Sequence, residues 1–85
     1  MQDKLSFIEK MTFNFIEADI EYNACHGGEP ISQITNRELA NKLEMSVRTV
    51  VRFIKKLERL QCIEITYKEN NTRYIRVKGG IKQWL

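Results

Sequence analysis

The sequence predicts an α+β fold that is mainly helical, in which three helices precede a two-stranded β-hairpin. Before residue 60, apolar residues recur at helical spacing in three separate segments. After residue 62, two segments alternate between apolar and polar residues on either side of a polar turn. The whole chain has 85 residues, which is room for one domain covering residues 1–85.

The first helix is predicted from about residue 3 to residue 24. Its apolar residues are three to five positions apart: Leu5, Ile8, Met11, Ile16 and Ile20. Helices that lie on membrane surfaces favour Lys and Arg on their polar face, whereas this polar face is mostly acidic, so packing on a core is the favoured interpretation. Gly27-Gly28 and Pro30 then stop the helix, and residues 31–34 alternate enough for a very short strand.

A second helix is predicted over about residues 36–43 and a third over about residues 47–60. Thr35 to Glu38 fits a capping box at the start of the second helix, and Ser46 is a good N-cap for the third. The expected inward face of the third helix consists of Val47, Val50, Phe53, Ile54, Leu57 and Leu60. Its other positions are mainly cationic: Arg48, Arg52, Lys55, Lys56 and Arg59.

The hairpin is predicted over about residues 63–78. Its first strand is rich in β-branched residues, and the turn contains Asn70-Asn71, since asparagine tolerates the left-handed region. The expected buried row consists of Ile63, Ile65, Tyr67, Ile75 and Val77. Gly79-Gly80 ends the second strand, and residues 79–85 form a short tail with Trp84 and Leu85.

The charge is divided unevenly along the chain. Residues 1–34 carry six acids and two bases, a net charge of −4, whereas residues 35–85 carry twelve bases and five acids, a net charge of +7. A basic second half predicts a working surface for nucleic acid or for an acidic membrane.

Several classes of protein are disfavoured by the sequence. The longest apolar run is two residues, whereas a membrane-spanning helix needs about 20. The first residues do not lead into the apolar segment of a signal peptide, so we expect a cytoplasmic protein with two reduced cysteines. Cys25-His26 supplies too few ligands for a metal site. No catalytic residues, metal ligands or cofactor are predicted, and we expect no enzyme activity.

Residues 36–53 resemble the core motif of the winged helix-turn-helix family. Ala40 stands where a small residue lets the two helices approach, and Val50 and Phe53 stand where the second helix packs back on the first. The Ser46 to Val50 segment, S-x-x-T-V, is typical of the start of a recognition helix. The chain departs from the family at Glu44, where glycine is common. The resemblance extends over about residues 5–78 and implies a DNA-binding fold whose hairpin is the wing.

The residues themselves also indicate duplex DNA binding. A helix about 10–12 Å wide fits the major groove, which is about 12 Å wide. The expected DNA-binding residues on the two helices of the motif are Thr35, Asn36, Arg37, Ser46, Arg48, Thr49, Arg52, Lys55, Lys56 and Arg59. At the wing tip they are Lys68, Asn70, Asn71 and Arg73, and the family resemblance implies that this tip lies at the adjacent minor groove.

The predicted function is sequence-specific binding of double-stranded DNA by a nucleoid-associated cytoplasmic protein. It would serve as a transcriptional regulator, or as the DNA-binding part of a plasmid or phage replication or partition protein. A winged-helix protein–protein adaptor is the alternative. Binding of single strands is less favoured, because it needs exposed aromatic residues and Tyr74 is the one suitable candidate if Tyr67 is buried.

A partner surface is expected on the first helix and the C-terminal tail. A homodimer would let two recognition helices meet half-sites one helical turn apart. A different protein partner, or packing of Trp84 on its own first helix, is equally compatible with the sequence.

Overall fold

The computed structural model of the protein describes residues 5–78. Its elements follow the order α1 (Phe7–Cys25), α2 (Asn36–Leu43), α3 (Val47–Arg59), β1 (Ile63–Tyr67) and β2 (Arg73–Val77). A single 3₁₀ turn, Glu69–Asn71, joins the two strands. The fold is therefore α+β and mainly helical, as predicted. The tail predicted over residues 79–85 lies outside the described residues. No helix within residues 5–78 is both long enough and apolar enough to cross a membrane.

α1 begins later than predicted, because Ser6 caps it. The Ser6 N–H donates to Glu9 Oε1 at 2.8 Å, and the Glu9 N–H donates to Ser6 Oγ at 3.3 Å, which forms a capping box. Leu5 and Ser6 are consequently not helical, so the predicted start near residue 3 was wrong. At the other end of α1, Gly27 has a φ of 86°, and the Gly28 N–H donates to the Asn23 carbonyl at 2.8 Å.

The core lies where the three helices meet the base of the hairpin. Its most deeply buried apolar residues are Phe13 and Ile16 from α1, Leu39 from α2, Val50 and Leu57 from α3, Cys62, and Ile63 and Ile75 from the strands. Two residues predicted to be buried are exposed instead: Val47 is 43% exposed and Tyr67 is 66% exposed. Val47 is the first residue of α3, and Tyr67 pairs with Arg73 at the end of the hairpin farthest along β1. Phe53 is half-buried.

The base of the wing is attached to α1 through Ser32. The strands pair antiparallel from Ile63↔Val77 to Tyr67↔Arg73, and the short strand predicted over residues 31–34 is a single bridge between Ser32 and Ile75. Two backbone hydrogen bonds of 2.9 Å form this bridge. The buried Ser32 hydroxyl also donates to Asp19 Oδ2 at 2.6 Å, so the wing, the loop and α1 are connected.

The turn between α2 and α3 requires a left-handed residue, and Glu44 adopts that conformation. Its φ and ψ are 54° and 50°, a region that costs a residue with a side chain roughly 1–2 kcal/mol. The next N–H, of Met45, donates to the Ala40 carbonyl at 3.0 Å. The turn therefore keeps the geometry that glycine usually provides, even though glutamate stands there.

Candidate nucleic-acid interface

α3 carries a row of cations on the side away from the core, which we call the cationic stripe. Its members are Arg48, Arg52, Lys55 and Arg59, all exposed. They follow the spacing i, i+4, i+7 and i+11, which keeps them on one face of a helix. The buried residues Val50, Ile54 and Leu57 occupy the opposite face. α3 is therefore held on the protein by its apolar face and presents four positive charges outward.

The N-terminal end of this stripe is fixed by a hydroxyl pair. Ser46 is the N-cap of α3, and its Oγ accepts the Thr49 N–H at 3.2 Å. The Ser46 and Thr49 hydroxyl oxygens are also 2.9 Å apart and share a hydrogen bond. These contacts define where α3 begins and leave Arg48 exposed in its first turn.

Lys56 lies beside the cationic stripe rather than on it. Its Nζ is 3.0 Å from Glu9 Oε1 on α1, and the Lys56 residue is half-buried. Burial raises the pKa of the Glu9 carboxyl, but hydrogen bonds from the Ser6 backbone and from Lys56 outweigh that effect, and the pKa lies below its ordinary value of 4.5. Lys56 is a predicted DNA contact, but in the structure its ammonium pairs with Glu9 and joins α3 to α1.

The start of α2 is capped as predicted. The Thr35 N–H donates to Glu38 Oε1 at 2.9 Å, and the Glu38 N–H donates to Thr35 Oγ1 at 3.1 Å. The hydrogen bond from the Thr35 backbone lowers the pKa of the Glu38 carboxyl. Because this carboxylate already occupies the helix N-terminus, an approaching phosphate would meet chiefly the exposed Arg37 side chain.

The tip of the wing is polar and exposed. Asn70 and Asn71 adopt φ values of 66° and 60°, which confirms the turn chemistry expected of asparagine. The Lys68 ammonium lies 5.9 Å from the centre of the Tyr74 ring, a cation–π contact. Lys68, Asn70 and Asn71 are therefore available at the end of the hairpin.

The Arg73 side chain forms two hydrogen bonds within the protein. Its Nη1 donates to Asn36 Oδ1 and its Nη2 donates to the Ile34 carbonyl, each at 2.7 Å. Burial lowers the pKa of the Arg73 guanidinium. The fork of Arg73 thus holds the wing against the first residue of α2. Both Arg73 and Asn36 are predicted DNA contacts, and no local sequence signal indicates their pairing because they are 37 positions apart.

Groups of potential metal ligands are absent from the described residues. Within residues 5–78 no group of three or more His, Cys, Asp or Glu side chains could hold a metal ion. Cys25 and Cys62 are both free thiols, Cys25 exposed and Cys62 buried, and burial raises the pKa of Cys62. The interface itself therefore offers positive charge, amide groups and hydroxyls.

Comparisons with known proteins agree with this geometry. A family model described as "HTH domain" matches residues 32–71, the segment that contains α2, α3, β1 and the turn of the wing. No curated protein sequence matches the chain. Among solved structures, the chain is similar to MepR, described as a transcription regulator of the Staphylococcus aureus multidrug efflux pump MepA, with a TM-score of 0.69 and 18% identity.

The similarity extends over most of this chain and over about half of each matched chain. The MepR match covers 94% of this chain and 53% of that one. S. aureus MepR bound to ethidium bromide matches with a TM-score of 0.67 and 20% identity, covering 98% of this chain and 54% of that one. The chain thus spans about half the length of these structures and shares their fold there. The helix-turn-helix match over residues 32–71 and the three-helix architecture with its hairpin show that the chain has a winged helix-turn-helix fold.

Proposed function

We propose that the protein binds double-stranded DNA with α3 in the major groove and the wing tip beside it. The observation that carries this proposal is the cationic stripe, whose four members lie directly opposite the buried face of α3. A major groove accepts one α-helix, and positive charge supplies the affinity for phosphates. A protein–protein adaptor would not need this row of cations on the helix that enters the groove in helix-turn-helix proteins.

Sequence specificity is assigned to the N-terminal half of α3. Arg48 and Arg52 are one turn apart and exposed, and a bidentate contact from arginine to guanine is the commonest specific contact in the major groove. Lys55 and Arg59 lie farther along the helix, where phosphate contacts set orientation and affinity. Thr49 is half-buried beside Ser46 and supports the start of the helix.

The wing contributes a second group of contacts. Lys68, Asn70 and Asn71 are exposed at its tip and are suited to the phosphates or the minor-groove edge beside the major groove that α3 occupies. In this proposal Arg73 and Asn36 do not touch DNA; their hydrogen bond of 2.7 Å sets the position of the wing relative to α2. Lys56 likewise acts through its ion pair with Glu9.

We place the protein in transcription regulation, in the cytoplasm with the chromosomal DNA. The support for this choice over replication or partition is that the solved structure it resembles over 94% of its length is described as a transcription regulator. The described residues contain the DNA-reading fold and no further domain. A signal would therefore have to reach these residues from a partner or from another segment of the protein.

The test compares Arg52→Ala with Arg76→Ala by fluorescence anisotropy, on a duplex selected from a random pool and on an unselected duplex. Arg76 is a matched control because it lies on β2 and faces Glu29, with Nη2 to Oε1 at 3.7 Å. We expect Arg52→Ala to weaken binding to the selected duplex by about 1–3 kcal/mol, roughly 5- to 150-fold, and to reduce discrimination between the duplexes. Equal losses on both duplexes would contradict base reading by Arg52.

A further inference from the structure

α3 has two flanks between its buried face and its cationic stripe, and the two flanks differ in chemistry. One flank carries Thr49 and Lys56, and the Lys56 Nζ lies 3.0 Å from Glu9 Oε1 on α1. The other flank carries Val47 and Val51, which we call the valine pair. At 3.6 residues per turn, the valine pair lies roughly 140–180° around the helix axis from Lys56. The valine pair is therefore turned away from the contact between α3 and α1.

The core does not account for the valine pair. Val47 is 43% exposed, and Val51 is half-buried. Within residues 5–78, neither belongs to the buried core or to the half-buried apolar residues packed against it. The same flank carries the exposed Glu58 in the last turn of α3, so its apolar part is confined to the N-terminal half of the helix. That half is the part of a recognition helix that contacts base edges.

We propose that the valine pair recognises thymine, by packing on the C5-methyl groups that thymine presents in the major groove. This role depends on the proposed binding of α3 in the major groove, and it assigns a base preference to that binding. The base edges in the major groove carry hydrogen-bond donors and acceptors, and thymine alone adds a methyl group. A valine side chain has no hydrogen-bonding group, so the methyl group is the feature that it can distinguish there.

The spacing of the valine pair limits where the thymines lie. Residues four positions apart on a helix have Cβ atoms about 5–6 Å apart, whereas successive nucleotides of a strand are about 3.4 Å apart along the duplex. The two side chains therefore reach base pairs that are one or two steps apart. Arg48 follows Val47 directly and lies about 60° around the helix from Val51. We expect a thymine within two base pairs of the guanine that Arg48 contacts.

The first test removes the methyl group from the DNA. Duplexes that bind the full 85-residue chain are selected from a random pool, and each thymine near the shared guanine is replaced singly by deoxyuridine, which lacks only the C5-methyl group. Fluorescence anisotropy gives the dissociation constant of each duplex. At one or two positions, we expect deoxyuridine to weaken binding about fourfold, the effect of losing burial of one methyl-sized group.

The second test shortens the side chains. Val47→Ala and Val51→Ala should each bind the thymine and deoxyuridine duplexes about equally at one of the sensitive positions, because the contact with the methyl group is already lost. The matched control is Tyr22→Ala, which truncates an apolar side chain on α1 that is 61% exposed. This control should keep the fourfold preference for thymine. Circular dichroism checks that each variant is folded.

Each contrary result has a distinct meaning. Selected duplexes that share no thymine near the guanine would overturn the role of the valine pair, and so would salt-dependent binding that no deoxyuridine changes; both leave the proposed function in place. A preference for thymine that persists undiminished in both valine variants would assign the methyl contact to another side chain. Absence of binding to any duplex would overturn the valine role and the proposed function together.

Discussion

Arg73 provides the sharpest test of how the wing is held. Its guanidinium joins β2 to the residues that start α2, with hydrogen bonds of 2.7 Å to Asn36 Oδ1 and to the Ile34 carbonyl. Arg73→Ala removes both donors and leaves these two oxygens without them. Because Arg73 is half-buried, the loss should appear as reduced stability of the fold, even when no DNA is present.

The magnitude follows from the two contacts. A hydrogen bond from a charged group contributes about 1.5–3 kcal/mol, and the cost of desolvating half of the guanidinium offsets part of the sum. We therefore expect Arg73→Ala to lower the free energy of unfolding by about 2–3 kcal/mol. In a domain of this size 1 kcal/mol corresponds to roughly 4–8 °C, so the midpoint of thermal unfolding should fall by roughly 10–20 °C.

The assay is urea and thermal unfolding followed by circular dichroism at pH 7. Arg76→Ala is the matched control: Arg76 lies on the same strand, and its contact with Glu29 is 3.7 Å long and exposed. Such a pair contributes about 0–1 kcal/mol, so this variant should remain close to the wild type. If Arg73→Ala unfolds at the same urea concentration as Arg76→Ala, Arg73 does not hold the wing.

Two further predictions concern pH and the turn. The pKa of Glu9 is below 4.5 in the folded protein, so its contribution to stability is present above pH 4.5 and is lost as the pH falls through the folded pKa. Urea unfolding across this range should show a steeper loss for the wild type than for Glu9→Gln, which keeps a capping side chain; parallel curves would contradict this. At Glu44, with φ of 54°, Glu44→Gly should be within about 1 kcal/mol of the wild type and Glu44→Ile about 1–2 kcal/mol less stable. Equal stability of the two variants, measured by urea unfolding, would show that the left-handed conformation is not required.

The local features of the fold could be predicted from the sequence. The capping box at Thr35, the N-cap at Ser46 and the left-handed Asn70 and Asn71 all depend on residues within four positions of one another. The capping box of Ser6 and Glu9 has the same form and was equally visible in the sequence. The start of α1 is therefore encoded locally as well, although the apolar periodicity alone predicts a start near residue 3.

The contacts between elements could not be predicted. Arg73 and Asn36 are 37 positions apart, and Lys56 and Glu9 are 47 positions apart. Periodicity and charge carry no information about pairs this distant in sequence, so all four side chains were expected to face solvent. Alternation along β1 also gives no information on where the core ends, and for this reason Tyr67 was expected to be buried and is exposed. Because Tyr67 is exposed, it offers an aromatic ring on which a single-stranded base could stack. A single-stranded competitor is therefore a useful control.

A salt titration tests most directly whether the cationic stripe binds duplex DNA. Fluorescence anisotropy with a labelled duplex, measured from about 50 to 300 mM KCl, gives the slope of log K against log salt. With about four phosphates neutralised, the slope should be roughly −3 to −5, and an unlabelled single strand should compete poorly. Absence of duplex binding at the lowest salt, or binding that does not change with salt, would contradict the proposed function.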